Sequence, residues 1–113
     1  MKVLVVDDEM PARARLCALL QDLGGYQVCG EAANGREALQ LSEAEQPDVL
    51  LLDIRMPGMD GLEAARHLQL LEQPPAIIFT TAYNDYALQA FETHAVDYLL
   101  KPVRKERLED ALH

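Results

Sequence analysis

The stretch Val49-Leu50-Leu51-Leu52-Asp53-Ile54-Arg55-Met56-Pro57-Gly58 decides the fold, because its apolar run stops at a carboxylate and then turns. Four consecutive aliphatic residues bounded by turn residues predict a strand buried on both faces, as in the middle of a parallel sheet. Ligands of open α/β sheets collect at the carboxyl ends of the strands. Asp53 is therefore predicted to lie at a functional edge, where other strands should deliver its companions.

The composition predicts one globular domain over residues 1–113. Half of the 113 residues are hydrophobic and 5% are aromatic, so the core should be mainly aliphatic. The 19 acidic and 10 basic residues give a formal net charge of −9. This balance argues against nucleic acid or an anionic membrane as a direct ligand of this domain, and it suits a cation. No apolar stretch is long enough to span a bilayer and no leader is recognisable, so a cytoplasmic location is expected.

The cysteines and histidines form no catalytic or metal-binding pattern. Cys17 and Cys29 lack close ligand spacing and are interpreted as reduced, structural thiols. The three histidines are scattered and are interpreted as solvated or packed side chains; they are His67, His94 and His113.

Five apolar runs alternate with segments of helical periodicity. The predicted strands are Val3–Val6, Tyr26–Ala33, the Asp53 strand, Ala76–Phe79 and Val96–Leu100. The predicted helices run from Pro11 to Leu23, from about Arg36 to Glu45, from the N-cap Asp60 to the Pro74-Pro75 pair, from about Asn84 to Thr93, and from about Arg104 onward. Short loops between alternating elements imply right-handed crossovers, and hence a (βα)5 doubly wound parallel sheet.

The residues at the strand ends predict the strand order. The second strand ends without an acidic residue and is placed at an edge. The other four strands end in Asp7-Asp8, Asp53, Thr81 and Lys101. The order 2-1-3-4-5 puts those four strands side by side, with a crevice between strands one and three.

Three carboxylates in one crevice repel one another unless a cation joins them, and Mg²⁺ is the expected cation. Asp8 and Asp53 are the candidate ligands, with Asp7 nearby. Thr81 and Lys101 would complete a clamp for a phosphoryl group, with Asp53 as the nucleophile that forms an acyl phosphate. We find no glycine-rich nucleotide loop, so the phosphoryl group is expected to arrive on another molecule.

Motifs at four strand ends carry a family resemblance over the whole chain. They are Asp7-Asp8, Asp53 with Met56-Pro57-Gly58 and Asp60-Gly61, Thr81-Ala82, and Tyr98 with Lys101-Pro102. With these motifs the chain resembles a response regulator receiver domain of the CheY-like superfamily, whose fold is flavodoxin-like.

This resemblance implies a signalling switch rather than an enzyme with a separate substrate. A sensor histidine kinase would donate the phosphoryl group to Asp53, and the domain would catalyse its own phosphorylation and dephosphorylation with Thr81 and Lys101. Asp8, Asp53, the Arg55 carbonyl and, through water, Asp7 would bind Mg²⁺. The family also suggests a cis Lys101-Pro102 peptide bond.

The segments Phe79–Tyr83, Tyr86-Ala87 and Ala95–Pro102 resemble receivers joined to LytTR-type DNA-binding domains. The last helix is shorter than the family usually shows. The resemblance implies a transcription regulator whose C-terminal output domain, absent from this chain, contacts DNA; a stand-alone receiver is the alternative.

A switch between Thr81 and Tyr98 follows from the resemblance. Phosphate on Asp53 would draw the Thr81 hydroxyl toward it, and Tyr98 would turn into the vacated space. The α4-β5-α5 face, made by the fourth helix, the fifth strand and the fifth helix, would then recruit a second copy. Arg55 and Tyr83 flank the site and are bulky, so slow hydrolysis of the acyl phosphate is expected.

Two other functions share part of this pattern. A phosphatase or mutase with an aspartyl nucleophile would normally have a second acid two residues after Asp53, where this chain has Arg55. A non-phosphorylated interaction module would keep the fold and lose some site residues, and here all are present.

Overall fold

The computed structural model describes residues 1–83 and 95–113, in which five strands form one parallel sheet flanked by helices. The strands are β1 (Lys2–Val6), β2 (Gln27–Ala32), β3 (Val49–Asp53), β4 (Ala76–Thr81) and β5 (Asp97–Leu100). The described helices are α1 (Met10–Leu23), α2 (Gly35–Glu45), α3 (Gly61–Leu68) and the C-terminal helix (Lys105–Leu112). The helix predicted over about 84–93 lies outside the described residues, as do Tyr86 and Ala87.

The strand order is β2-β1-β3-β4-β5, and every neighbouring pair is parallel. This confirms the predicted flavodoxin-like topology and the edge position of β2. Every residue of β3 is buried, as its unbroken apolar run predicted. In the β3–β4 register, Asp53 lies opposite Thr80, so the end of β3 is level with the hydroxyl-bearing end of β4.

The two faces of the sheet carry separate cores, because alternate strand residues point to opposite sides. One core packs β1, β3 and β4 against α2 and α3; its largest buried members are Leu4, Leu50, Leu52, Ile54, Leu68, Ile77 and Phe79. The other packs β1, β3, β4 and β5 against α1 and the C-terminal helix; its largest buried members are Leu16, Leu20, Leu51, Ile78, Leu99 and Leu108. Helices therefore pack on both faces of the sheet.

Short polar caps set the helix starts nearest the carboxyl edge of the sheet. The Asn34 side chain accepts a hydrogen bond of 2.9 Å from the Glu37 amide at the start of α2. The Asp60 side chain accepts one of 2.9 Å from the Glu63 amide at the start of α3, which confirms Asp60 as an N-cap.

The helix predicted to run from Asp60 to the Pro74-Pro75 pair ends earlier, at Leu68. Leu68 is fully buried, whereas Leu70 is 83% exposed. Helix stability in proteins comes mainly from packing an apolar face. Between Leu68 and the prolines, Leu71 packs against the core and Leu70 does not, so little apolar surface supports further helical turns. Within the part of the chain that the structure describes, no helix combines the length and apolarity that crossing a membrane requires.

Candidate functional site

The candidate site lies where four neighbouring strands end. Asp7 directly follows β1, Asp53 is the last residue of β3, Thr81 is the last residue of β4, and Lys101 directly follows β5. Carboxyl ends of parallel strands meet at one edge of a sheet, so the topology alone delivers these residues to one rim.

Three carboxylates form a compact cluster at this rim. One carboxylate oxygen each from Asp7, Asp8 and Asp53 lies within 4.8 Å of the others. Asp7 is fully buried and Asp53 is 4% exposed, whereas Asp8 faces solvent. Hard divalent cations prefer oxygen ligands of this kind. Within the described residues the cluster is therefore a candidate cation site, open to solvent on the Asp8 side.

Lys101 supplies the positive charge of the cluster. Its Nζ lies 2.6 Å from Asp7 Oδ2 and 3.5 Å from Asp53 Oδ1. Burial opposes the charged form of this lysine, but the carboxylates of Asp7 and Asp53 outweigh it and raise the Lys101 pKa. The ammonium is therefore held in its charged form between the two buried acids.

Asp53 has a strongly perturbed acidity. Burial and, next, the negative charge of Asp7 raise the pKa of Asp53 from 3.8 to about 7, with Lys101 opposing the rise and Asp8 adding to it. A carboxylate in this environment gains from any cation that offsets its neighbours. The donor set of the cluster thus fits a divalent metal by its chemistry.

Backbone contacts fix the orientation of Asp7, a feature that the sequence did not predict. The Glu9 amide donates a hydrogen bond of 2.9 Å to Asp7 Oδ1, so one carboxylate oxygen is held by the chain and the other by Lys101. The Arg13 guanidinium, one turn into α1, donates a hydrogen bond of 2.7 Å to the Asp7 carbonyl. Arg13 also pairs with Glu31 on β2 at 3.2 Å. This α1 residue therefore contacts both β2 and the end of β1.

Gly61 packs directly against the backbone of Asp53. Its amide donates a hydrogen bond of 2.7 Å to the Ile54 carbonyl. A Cβ at position 61 would lie 2.1 Å from the Asp53 carbonyl oxygen and 2.8 Å from the Ile54 Cα. Only glycine fits this contact, so the Asp60-Gly61 pair matters for the site through its backbone as well as through the α3 cap.

Thr81, Tyr98 and Arg55 each contact Tyr83. The buried Thr81 hydroxyl accepts a hydrogen bond of 3.2 Å from the Tyr83 amide. The half-buried Tyr98 donates its hydroxyl hydrogen to the Tyr83 carbonyl. The Arg55 guanidinium lies over the Tyr83 ring, 4.5 Å from its centroid.

The structure thus brings Asp7, Asp8, Asp53 and Lys101 into one cluster, as the sequence predicted. Thr81 lies at the same edge, with its backbone carbonyl accepting a hydrogen bond of 2.7 Å from the Lys101 amide. The Lys101-Pro102 peptide bond is cis, as the resemblance suggested. Cys17 and Cys29 are not bonded to each other.

Comparisons with known proteins agree with this geometry. The sequence profile of a family described as response regulator receiver domain matches residues 3–113. The chain is 55% identical over 113 residues to the positive alginate biosynthesis regulatory protein of Pseudomonas aeruginosa, covering 99% of this chain and 46% of that protein. It is 42% identical to the transcriptional regulatory protein LytR of Staphylococcus aureus, covering 100% of this chain and 46% of that protein. The chain therefore spans less than half the length of these two relatives.

A solved structure is also similar. The response regulatory domain of protein mrkE from Klebsiella pneumoniae superimposes with a TM-score of 0.91 at 33% identity, covering 99% of this chain and 92% of that one.

Proposed function

Because the chain belongs to the response regulator receiver domain family, we propose that Asp53 accepts a phosphoryl group and that this domain is the switch of a two-component signalling system. The observation that carries the proposal is the placement of one ammonium group, that of Lys101, at 2.6 Å from Asp7 and 3.5 Å from Asp53 at the carboxyl edge of the sheet. A carboxylate nucleophile beside a fixed cation suits phosphoryl transfer, in which charge on the transferred oxygens must be stabilised.

In the proposed reaction, one Asp53 oxygen bonds to phosphorus while the bond between phosphorus and a kinase histidine nitrogen breaks. The imidazole, with a proton on its second ring nitrogen, leaves with the electron pair as a neutral base, and Asp53 carries the acyl phosphate. Lys101 would stay charged beside the new phosphoryl oxygens, because its raised pKa keeps its proton bound. The Thr81 hydroxyl would donate to another phosphoryl oxygen.

The acidic cluster fits Mg²⁺, which we propose as the cofactor. Asp8, Asp53, the Arg55 carbonyl and, through water, Asp7 would hold it. When bound, Mg²⁺ would offset negative charge on the transferred phosphoryl group and on the carboxylates around it. The support from this chain is the mutual distance of the three carboxylates and the raised pKa of Asp53, which a divalent ion would relieve.

We propose two partners, a sensor histidine kinase and a second copy of this domain. A sensor histidine kinase in the cytoplasm would supply the phosphoryl group, and phosphorylation would favour a homodimer through the face that contains β5, the C-terminal helix and the helix predicted at about 84–93. Apolar side chains exposed on or beside β5 support a contact there: Val96 is 58% and Leu100 is 49% exposed.

We further propose that the whole protein is a transcription regulator with a C-terminal LytTR-type DNA-binding domain. Two observations support this. The relatives that match over the full chain are named as regulatory proteins, and the chain covers 46% of each. The formal charge of −9 suits a domain that does not itself contact DNA.

Phosphorylation with a small donor tests the proposed function. The wild-type chain is incubated with acetyl phosphate and Mg²⁺ and followed by intact mass measurement. We expect the mass of one added phosphoryl group in the wild type and in Asp22→Asn, a change of an exposed acid on α1, and no addition in Asp53→Ala. Continuous release of phosphate without a stable adduct would indicate a phosphatase instead, and an unchanged mass in the wild type would indicate an interaction module.

A further inference from the structure

Lys101 begins the short segment, residues 101–104, that joins β5 to the C-terminal helix. Connecting segments are in general more mobile than the strands and helices that they join. The Lys101 amide donates a hydrogen bond of 2.7 Å to the Thr81 carbonyl, which ties the start of the segment to β4. The position of the Lys101 side chain therefore depends on how the rest of the segment is fixed.

Arg15 of α1 holds the far part of this segment. Its guanidinium donates two hydrogen bonds to the Val103 carbonyl, from Nε at 3.2 Å and from a terminal nitrogen at 2.8 Å. Hydrogen bonds from a charged donor are stronger than those between neutral groups. The Val103 side chain is buried in the same core as Leu16, the residue that follows Arg15. The carbonyl of Val103 is therefore held by α1, and its side chain by a core that α1 shares.

The same helix also holds the acid that pairs with Lys101. Two residues before Arg15, the Arg13 guanidinium donates a hydrogen bond of 2.7 Å to the Asp7 carbonyl. Side chains two residues apart on a helix point about 200° away from each other around its axis. One arginine thus reaches the end of β1 and the other the segment after β5, while buried leucines anchor α1 in the core. A single helix therefore holds the backbone on both sides of the ion pair between Lys101 and Asp7.

We propose that Arg15 is a positioning residue for Lys101. By holding the Val103 carbonyl, Arg15 keeps the Lys101 ammonium between the two buried acids of the cluster. The ammonium has little freedom there, because its Nζ lies 2.6 Å from Asp7 Oδ2 and 3.5 Å from Asp53 Oδ1. A displacement of about 1 Å at a reacting centre can cost on the order of 100-fold in rate. The role rests on the proposed function only where phosphoryl transfer is measured, since the ion pair exists without it.

A double-mutant cycle separates positioning of Lys101 from a stabilising contact that is independent of it. Urea unfolding is measured without divalent ions for the wild type, Arg15→Gln, Lys101→Met and the double variant. Arg15 is exposed, so its replacement should leave the fold intact. We expect Arg15→Gln to raise the unfolding constant roughly tenfold in the wild type and at most about threefold in Lys101→Met. Equal factors in both backgrounds would mean that Arg15 does not act through Lys101, and would overturn the proposal.

Two further variants separate the contact from the charge. Arg66→Gln, at an exposed position on α3, changes the net charge equally and should have the same effect in both Lys101 backgrounds. Arg15→Lys keeps the charge but replaces the planar fork that reaches the Val103 carbonyl with a single ammonium. It should therefore fall between Arg15→Gln and the wild type. Arg15→Lys equal to the wild type would mean that charge alone acts, and would contradict the proposal.

Nuclear Overhauser contacts report the position of Lys101 without changing the lysine itself. In the metal-free wild type, the Lys101 Hε protons should contact the Asp7 Hβ protons. In Arg15→Gln these contacts should weaken severalfold, whereas contacts between Leu51 and Ile78, paired on β3 and β4, should stay the same and show that the sheet is intact. Lys101 contacts as strong as in the wild type would overturn the proposal.

Phosphorylation measures the functional consequence, and this step rests on the proposed transfer to Asp53. With acetyl phosphate and Mg²⁺, Arg15→Gln should take up phosphate roughly tenfold more slowly than the wild type, and Arg66→Gln at the wild-type rate. Equal rates in Arg15→Gln and the wild type would overturn the positioning role. A wild type that takes up no phosphate would instead contradict the proposed function, and the unfolding cycle and the Overhauser contacts would still decide whether Arg15 positions Lys101.

Discussion

Lys101 makes its shorter contact with Asp7 rather than with Asp53: its Nζ lies 2.6 Å from Asp7 Oδ2. Asp7 has no exposed side-chain surface, so this ion pair is almost completely removed from solvent on the acidic side. Lys101 therefore has two tasks at once. It neutralises a structural acid, and it stays within 3.5 Å of the proposed phosphoryl acceptor.

Replacing Lys101 with methionine should test the first task. Removing one partner of a buried pair leaves an uncompensated charge, so the metal-free variant should be less stable by about 3 kcal/mol. Urea unfolding at pH 7.5 without divalent ions measures the loss. The variant should also bind Mg²⁺ more tightly than the wild type, because a competing cation is gone. Lys105→Met, at the exposed start of the C-terminal helix, is the control, and equal losses in both variants would contradict the prediction.

Asp53 should make the stability of the metal-free protein depend on pH. Its pKa is raised from 3.8 to about 7, mainly by burial, so the folded state holds the proton more tightly than the unfolded chain. The contribution of this group is therefore fully present below about pH 4 and is lost as the pH rises through 7. Asp53→Asn should be more stable than the wild type at pH 8, by up to roughly 4 kcal/mol, and the difference should shrink toward pH 4.

Mg²⁺ offers the matched control for this prediction. At pH 8 it should raise the unfolding temperature of the wild type, because it binds the folded state, and it should have much less effect on Asp53→Asn. A difference between the two proteins that does not change between pH 4 and pH 8 would refute the assigned acidity.

Gly61→Ala should disturb the site through its backbone. The added Cβ would lie 2.1 Å from the Asp53 carbonyl oxygen, so the loop or the end of β3 must move. We expect large amide shifts at residues 53–55 and a weaker Mg²⁺ affinity. Gly58→Ala meets no neighbouring atom but has a φ of +75°, so it should lose about 1 kcal/mol of stability and bind Mg²⁺ normally. The same Mg²⁺ constant in both variants would argue against a role of the Gly61 contact in positioning Asp53.

Thr81→Ala should separate phosphorylation from its consequence. The Thr81 hydroxyl accepts from the Tyr83 amide, and Tyr98 donates to the Tyr83 carbonyl, so both side chains of the proposed switch contact one residue. The variant should still take phosphate from acetyl phosphate, while its phosphorylation-dependent dimerisation weakens about tenfold. Sedimentation of the phosphorylated proteins measures this. Dimerisation as strong as in the wild type would exclude Thr81 from the switch.

The acyl phosphate of the wild type should decay slowly, because we expect the Arg55 guanidinium, which packs on the Tyr83 ring, to restrict the approach of water to Asp53. Arg55→Ala and Tyr83→Ala should each speed the decay roughly two- to fivefold, the effect of losing an exposed cation–π contact. The double variant should add little, since either change removes the same contact. A wild-type lifetime of seconds, or independent effects of the two changes, would contradict this role.

The sequence predicted the sheet because its signals were local. Apolar runs such as Val49–Leu52 ended in polar residues, and the second strand ended without any, which was enough to order the strands. The meeting of Asp7, Asp8, Asp53 and Lys101 followed from that order alone.

The details that the sequence did not predict depend on distances between residues in the folded protein. Nothing in the sequence ranks the two acids as partners of Lys101, since the choice depends on how far each side chain is buried. The Arg13 contact with the Asp7 carbonyl requires α1 to fold back over β1. The early end of α3 at Leu68 depends on where the neighbouring core stops, and the Gly61 contact depends on a loop that crosses the end of β3.

Because its strands are parallel, the sheet has two different ends, one where all the strands begin and one where they all finish. The acidic cluster occupies the rim where the strands finish, while the turn Gly24-Gly25, with φ angles of +73° and +81°, lies just before β2 at the rim where strands begin. A reporter peptide spliced into that exposed turn would stand a whole strand length away from the aspartates. The domain would then serve as the scaffold of a phosphorylation sensor in which the reporter does not contact the phosphorylation site.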